Sequence, residues 1–189
     1  MVNTQGKLIA QAGDPHWVGY TRSTLKALQA LPFMQSGGPQ HFGFSTGQVA
    51  MLCASHGGEA MHVQEAQSML DKIGLNETRL RCGCHVPSYF VTVEQSPPAD
   101  LQYDQRHHNC SGKHSGFLAY CVQHGHRTDD YEHPRHPLQQ AIRHAIARVV
   151  GMEEHELKMG IDGCSAPNYA MPLSKLAYGY ARLASGTQD

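Results

Sequence analysis

Apolar positions recur at helical spacing along much of this 189-residue chain. Between Ser23 and Ser36 they fall at Leu25, Leu28, Leu31 and Met34, with Pro32 placed to kink the second half and Gly37-Gly38 to end it. Ser45 has the form of an N-cap for a short helix through Val49, Met51 and Leu52. Glu59 to Ile73 predicts a longer helix closed by Gly74. Lys113 to Gln123 and Pro137 to Val150 predict two more, the second ended by Gly151, and an amphipathic helix runs from Pro172 to Ala184. Strand signals are sparser. Lys7 to Gly13 reads as a short strand leading into an Asp14-Pro15 turn, and Leu157 to Gly160 as a strand feeding the Asp162-Gly163-Cys164 turn. Residues 80–109, with Pro87, Pro97 and Pro98, read as loop and strand. Neither internal repeats nor low-complexity segments interrupt the pattern. The mixture predicts an α/β or α+β domain.

Composition narrows the functional classes. A hydrophobic content of 40 % sustains a real core, and a formal charge of −1 gives no reason to expect nucleic acid or an anionic membrane as partner. No stretch approaches the roughly 18 apolar residues of a membrane span. Met1 to Lys7 lacks a basic segment followed by an apolar run, so a cytoplasmic chain without a secretory signal is expected. The six cysteines, at 53, 82, 84, 110, 121 and 164, are scattered, which suits reduced thiols or metal ligands better than a disulfide framework. Most of the fourteen histidines are isolated and read as surface residues.

Five segments carry candidate chemistry. Ser23-Thr-Leu-Lys26 sets a hydroxyl and an amine three residues apart at a helix start, where a partly desolvated lysine could act as base for a serine nucleophile. An N-cap serine followed by a solvated lysine has the same spacing. Cys110-Ser-Gly-Lys113-His114 gathers a thiol, an amine and an imidazole at a helix start, and Cys164, on a tight turn beside Asp162, is a candidate second thiol for a zinc site. The same residues allow two packed free cysteines, or a Cys110–His114 nucleophile pair. Ser55-His56, three to four residues before Glu59, reads as a loop-to-helix junction with a capping box as its plain alternative. Arg81-Cys82-Gly83-Cys84-His85 has no matching second Cys pair and reads as structural.

Taken in order, these segments resemble the Rhizobium-type bacterial asparaginase II family. The resemblance rests on Gly13-Asp14-Pro15, Arg22-Ser23-Thr-Leu-Lys26, Cys53-Ala-Ser55-His56-Gly57-Gly58-Glu59, Arg81-Cys82-Gly83, Asn109-Cys110-Ser-Gly-Lys113-His114 and Asp162-Gly163-Cys164-Ser-Ala-Pro167, closing with Pro172 to Ala184. It covers nearly the whole chain, and Asn-Cys-Ser-Gly-Lys-His together with Asp-Gly-Cys is its most specific part. It implies hydrolysis of L-asparagine to L-aspartate and ammonia in a fold similar to serine β-lactamases and penicillin-binding proteins. By resemblance Ser23 is the nucleophile, Lys26 its base, and Ser55 a second serine that pairs with a lysine far downstream. Cys110, Lys113 and Cys164 match a zinc site, and Arg22, His56 and Asp162 a substrate-binding set. A single domain over 1–189, shortened at both ends, and a homodimer are implied as well. Shortening removes the downstream lysine and further strands, so a zinc-binding remnant without catalysis is the alternative. Two departures stand out: Ala27 replaces the family's proline, and Cys84-His85-Val86 replaces a tryptophan-like stretch.

Overall fold

A computed structural model describes residues 1–186. The chain enters the fold through an exposed N-terminal segment, in which Val2 and Leu8 form an isolated bridge and Leu8 and Ile9 remain exposed. The strand expected over Lys7 to Gly13 therefore does not form, because this segment has no neighbouring strand to pair with beyond that single bridge. The Asp14-Pro15 turn does form, with the Asp14 carboxylate accepting the His16 N–H at 2.8 Å. It delivers strand β1 (Val18–Tyr20).

A 3-10 turn (Arg22–Leu25) runs into helix α1 (Lys26–Gln29) and, across Ala30, into α2 (Leu31–Gln35), with the break beside Pro32 where a kink is expected. The short α3 (Gly38–His41) leads to α4 (Thr46–Cys53), whose N-terminus is closed by a capping box between Ser45 and Gln48. Helix α5 (Ala60–Lys72) takes Glu59 as N-cap residue. Residues 80–109 hold α6 (Tyr89–Thr92) and a 3-10 turn (Gln105–His107), and no strand among the described residues, so the strand part of that expectation is replaced by proline-bounded turns. Next come α7 (Ser111–Gln123) and α8 (Pro137–Val150), the latter ended at Gly151, whose φ of +62° is the left-handed backbone that glycine adopts without strain. Strands β2 (Lys158–Ile161) and β3 (Pro167–Pro172) and helix α9 (Leu173–Ser185) complete the chain.

The three strands make one antiparallel sheet in the order β1-β3-β2. Central β3 pairs Tyr20 with Ala170 on one side and Gly160 with Asn168 on the other. The domain is thus mixed α/β, with a small sheet at the edge of a larger helical body. Helix α7 is the body's axis: Ser111 through Ala119 are all buried. Gly112 and Gly116, one turn apart, let α4 approach, since a Cβ at Gly112 would lie 2.5 Å from the Met51 carbonyl oxygen and one at Gly116 2.4 Å from a Leu52 methyl. Around this axis Leu25, Leu28, Met69, Leu70, Leu118, Ile142, Ile146 and Tyr169 form one continuous core. Among the described residues no helix is long and apolar enough to cross a membrane.

Candidate active site

Lys26 is the first residue of α1 and is only 1 % exposed. Its side chain reaches inward to the end of α4, where Nζ lies 3.0 Å from the Ala54 carbonyl, 3.1 Å from the Asn109 carbonyl and 2.9 Å from Ser55 Oγ. Ser55 itself is exposed, at the rim of the loop that joins α4 to α5. Among the described residues, the lysine that meets the Ser55 hydroxyl is Lys26. Ser23 lies in the 3-10 turn, exposed; its carbonyl accepts the Lys26 backbone N–H, but the Lys26 amine is spent on Ala54, Ser55 and Asn109, and not on the Ser23 hydroxyl. Burial is the main influence on Lys26 and pulls its pKa below the ordinary lysine value, with the Cys110 and Cys164 sulfurs opposing and Lys113 assisting. A neutral amine has two N–H groups and one lone pair. As an ammonium it donates to all three partners; once neutral, the two carbonyls take both hydrogens and the lone pair faces the Ser55 hydroxyl.

His56 holds the loop that carries Ser55. Its Nδ1 accepts the Gly58 N–H at 3.2 Å and its Nε2 meets Ser111 Oγ at 2.8 Å. Ser111 in turn donates to the Arg106 carbonyl, so the imidazole donates from Nε2 and is neutral. Burial together with the neighbouring His62 pushes its pKa down to about 3. Both ring nitrogens bond to the protein, so His56 supports the loop that carries Ser55.

On α7 and the turn after β2, three polar groups converge out of solvent. Lys113 Nζ lies 3.1 Å from Cys164 Sγ and over the Phe117 ring, 5.4 Å from its centroid. Interaction between the Cys110 and Cys164 thiols drives the Cys164 pKa down and the Cys110 pKa up, with burial adding to the rise at Cys110. Exposures of 5 % for Cys110, 3 % for Lys113 and 2 % for Cys164 leave no route for bulk water to balance a charge there. Among the described residues no group of three or more His, Cys, Asp and Glu side chains is placed to hold a metal. The Cys110–His114 nucleophile pair finds no support among the described hydrogen bonds, where His114 Nδ1 is bonded to the Tyr131 hydroxyl at 2.7 Å.

Arg22 and Asp162 meet across the sheet, Nε to Oδ1 at 2.6 Å, with the Arg22 side chain 70 % exposed. Arg22 sits at φ +49°, a left-handed conformation that costs a non-glycine residue on the order of 1 kcal/mol. Asn168 on β3 holds it there. Its Oδ1 accepts the Arg22 N–H at 3.0 Å and its Nδ2 donates to the Arg22 carbonyl at 3.0 Å, while Thr21 Oγ1 adds a bond to Oδ1 at 3.2 Å. Asn168 is a site residue that motif reading passes over. Its signal is a lone amide within an otherwise apolar, fully buried run, Ala166 to Met171. The Asn109 carbonyl is also missed, since backbone acceptors leave no mark on residue type. Cys82 is buried, donates to the Gln105 carbonyl and has a pKa pushed up to about 12 by burial; Cys84 is exposed. All six cysteines are free.

No curated protein matches the chain. The family model described as L-asparaginase II matches residues 1–189. The chain therefore belongs to the L-asparaginase II family, hydrolases that act on amides.

Proposed function

We propose that this chain hydrolyses the side-chain amide of L-asparagine to L-aspartate and ammonia through a serine hydroxyl activated by Lys26. The observation that carries the reading is the buried Lys26 amine, bonded to two carbonyls and aimed at Ser55 Oγ at 2.9 Å. A carboxamide is a poor electrophile, so the attacking oxygen must lose its proton as it bonds. Lys26, neutral, takes the proton of Ser55, whose oxygen adds to the amide carbon. The lysinium then returns that proton to the leaving nitrogen, and ammonia departs from an aspartyl ester of Ser55. Water, deprotonated by the same amine, cleaves the ester to L-aspartate and restores the serine. Ser23, one turn before Lys26 and solvent-facing, supplies the second hydroxyl of the set. The exposed guanidinium of Arg22 suits the substrate α-carboxylate, and Asp162, whose Oδ1 anchors Arg22, offers Oδ2 to the α-ammonium.

Zinc belongs to the same reading. Two thiols, one of them favouring the thiolate, and a buried amine with no carboxylate beside it form a donor set whose chemistry fits that ion. Cys110, Lys113 and Cys164 would hold it, and bound zinc supplies Lewis-acid polarisation or orientation of a substrate group. The β-lactamase-like fold is carried into the proposal too, supported by a lysine on the first turn of a helix that packs beside an antiparallel sheet.

Ammonia release from L-asparagine by the purified chain, its Ser55→Ala and Lys26→Met variants, and Ser23→Ala tests the reading, with circular dichroism to verify folding. Loss of the base and of its bonded hydroxyl should each lower kcat on the order of 10²- to 10⁴-fold. Zinc binding by a folded wild-type chain that releases no ammonia would replace this reading with the non-catalytic remnant.

A further inference from the structure

Strand β1 leaves the sheet at the residue that the proposed reaction assigns to the substrate carboxylate. Its ladder with β3 ends at the Tyr20–Ala170 pair, and the Thr21 N–H adds one bond to the Tyr169 carbonyl at 3.2 Å. Carried on in that register, Arg22 would stand opposite Asn168. Instead Arg22 takes φ +49°, and the chain swings off into the 3-10 turn that holds Ser23 and leads to Lys26. One side chain replaces the strand partner that Arg22 gives up. Asn168, 3 % exposed, presents Oδ1 to the Arg22 N–H and Nδ2 to the Arg22 carbonyl, each at 3.0 Å. A carboxamide offers an acceptor and a donor side by side; aspartate keeps only the acceptor, and alanine neither. Asn168 is itself fixed, by Thr21 Oγ1 at 3.2 Å from Oδ1 and by its backbone pairing with Gly160 on β2.

The other half of the ion pair is held in a similar way. Asp162 lies in the turn between β2 and β3, where its N–H donates to the Ala166 carbonyl and its carbonyl accepts the Ser165 N–H, both at 2.9 Å. Its Oδ1 takes the Gly163 N–H at 2.8 Å as well as the Arg22 guanidinium. Among the described residues three non-glycine positions have a left-handed backbone, and two of them, Arg22 and Ser165 at φ +69°, flank this one ion pair. Such positions persist where surrounding bonds over-determine them, and they collect at ligand clamps.

We propose that Asn168 is a positioning residue for substrate selection: its amide clamps the Arg22 backbone in the left-handed conformation and so directs the guanidinium to a substrate that carries an α-carboxylate. This role rests on the contact between Arg22 and the α-carboxylate proposed above, whereas the backbone clamp stands on the hydrogen bonds alone. Without the clamp Arg22 relaxes to an ordinary conformation and its side chain turns away from Asp162. The carboxylate then loses its contact, while Lys26 and Ser55 keep theirs, because the Lys26 amine is held by Ala54 and Asn109.

The test measures ammonia release from L-asparagine, and binding of L-aspartate by calorimetry, in wild type, Asn168→Ala, Arg22→Gly and the double variant. Circular dichroism verifies folding, and the calorimetric arm reads the same contact in a chain that does not turn over. A hydrogen bond to a charged group is worth about 10- to 100-fold in affinity. In Asn168→Ala the KM for L-asparagine and the Kd for L-aspartate should each rise by about that factor, with kcat falling far less. In the Arg22→Gly background the same substitution should add little, since no guanidinium is left to direct. An equal rise in both backgrounds would mean general loosening and would overturn the proposal, as would wild-type KM and Kd in a folded Asn168→Ala chain. Arg22→Gly with wild-type values sinks the carboxylate contact itself, and the selection role with it; so does a wild-type chain that neither releases ammonia nor binds L-aspartate. One arm needs no variant: hydrogen exchange at the Arg22 amide of the wild-type chain. Slow exchange supports the clamp, and exchange at the rate of an unprotected amide overturns it.

Discussion

At the scale of single residues, the account turns on the protonation of Lys26. Burial disfavours the ammonium, so its pKa falls below the usual lysine value. The sign follows directly: the neutral amine is the base, its population grows as pH rises, and the depressed pKa brings that growth to lower pH. We predict that kcat/KM for L-asparagine climbs with pH through an apparent pKa below that of a free lysine. Lys26→Arg should abolish the limb, since a guanidinium stays charged across the accessible range. A pH–rate profile that is flat or falls from neutrality upward would contradict the assignment. The same residue shows where motif spacing misleads. Ser23 and Lys26 are three apart, which in a regular helix puts them on one face. The chain instead starts with a 3-10 turn, and a long flexible side chain reaches Ser55, 29 residues away. Nothing local in Ser-x-x-Lys encodes that choice. The two carbonyls that orient the amine belong to Ala54 and Asn109, whose side chains are irrelevant to the contact.

At the scale of elements, the helices and strand β2, expected over Leu157 to Gly160, were the legible part and the rest of the sheet was not. The 3.6-residue apolar period locates α5, α7, α8 and α9 to within a few residues, and Ser45 caps α4 as its chemistry predicts. Strand β3 escaped notice because it is bounded by Pro167 and Pro172 and buried from Pro167 to Met171, so it shows neither alternation nor open ends. Strand β1, three residues long, is too short for any period to register. Lys7 to Gly13 failed in the opposite direction: a strand-like composition met no second strand. Packing between elements yields a prediction of its own. The α4–α7 contact depends on Gly112, where a methyl would strike the Met51 carbonyl at 2.5 Å, and backbone cannot swing aside as a side chain can. Gly112→Ala raises helix propensity, worth roughly 1 kcal/mol in its favour, yet should destabilise the protein by about 1–3 kcal/mol through overpacking. Denaturant melts that show the variant at or above wild-type stability would refute this view of the helix pair.

For the whole molecule, the arrangement separates two tasks on one axis. Helix α7 sends Lys113 toward the Cys164 turn and His114 to Tyr131, while its N-terminal end supplies the Asn109 carbonyl to Lys26 and, through Ser111, the anchor for His56. The sheet contributes Asn168, which holds Arg22 in its left-handed conformation beside Asp162. Amide hydrolysis would thus draw on groups from α1, the α4–α5 loop and the N-terminus of α7, and the thiol–amine cluster lies one turn further along the same helix. The family could be read from the order of motifs along the chain; which serine meets the lysine could not, because that depends on three segments meeting in space. The most direct test of the central claim is to quench the purified chain during turnover of L-asparagine and map the acylated residue by peptide mass spectrometry. The account predicts the aspartyl group, asparagine less ammonia, on the peptide that carries Ser55. An aspartyl adduct on Ser23, with Ser55 unmodified, would contradict it and make Ser55 a proton relay for a nucleophile on the 3-10 turn.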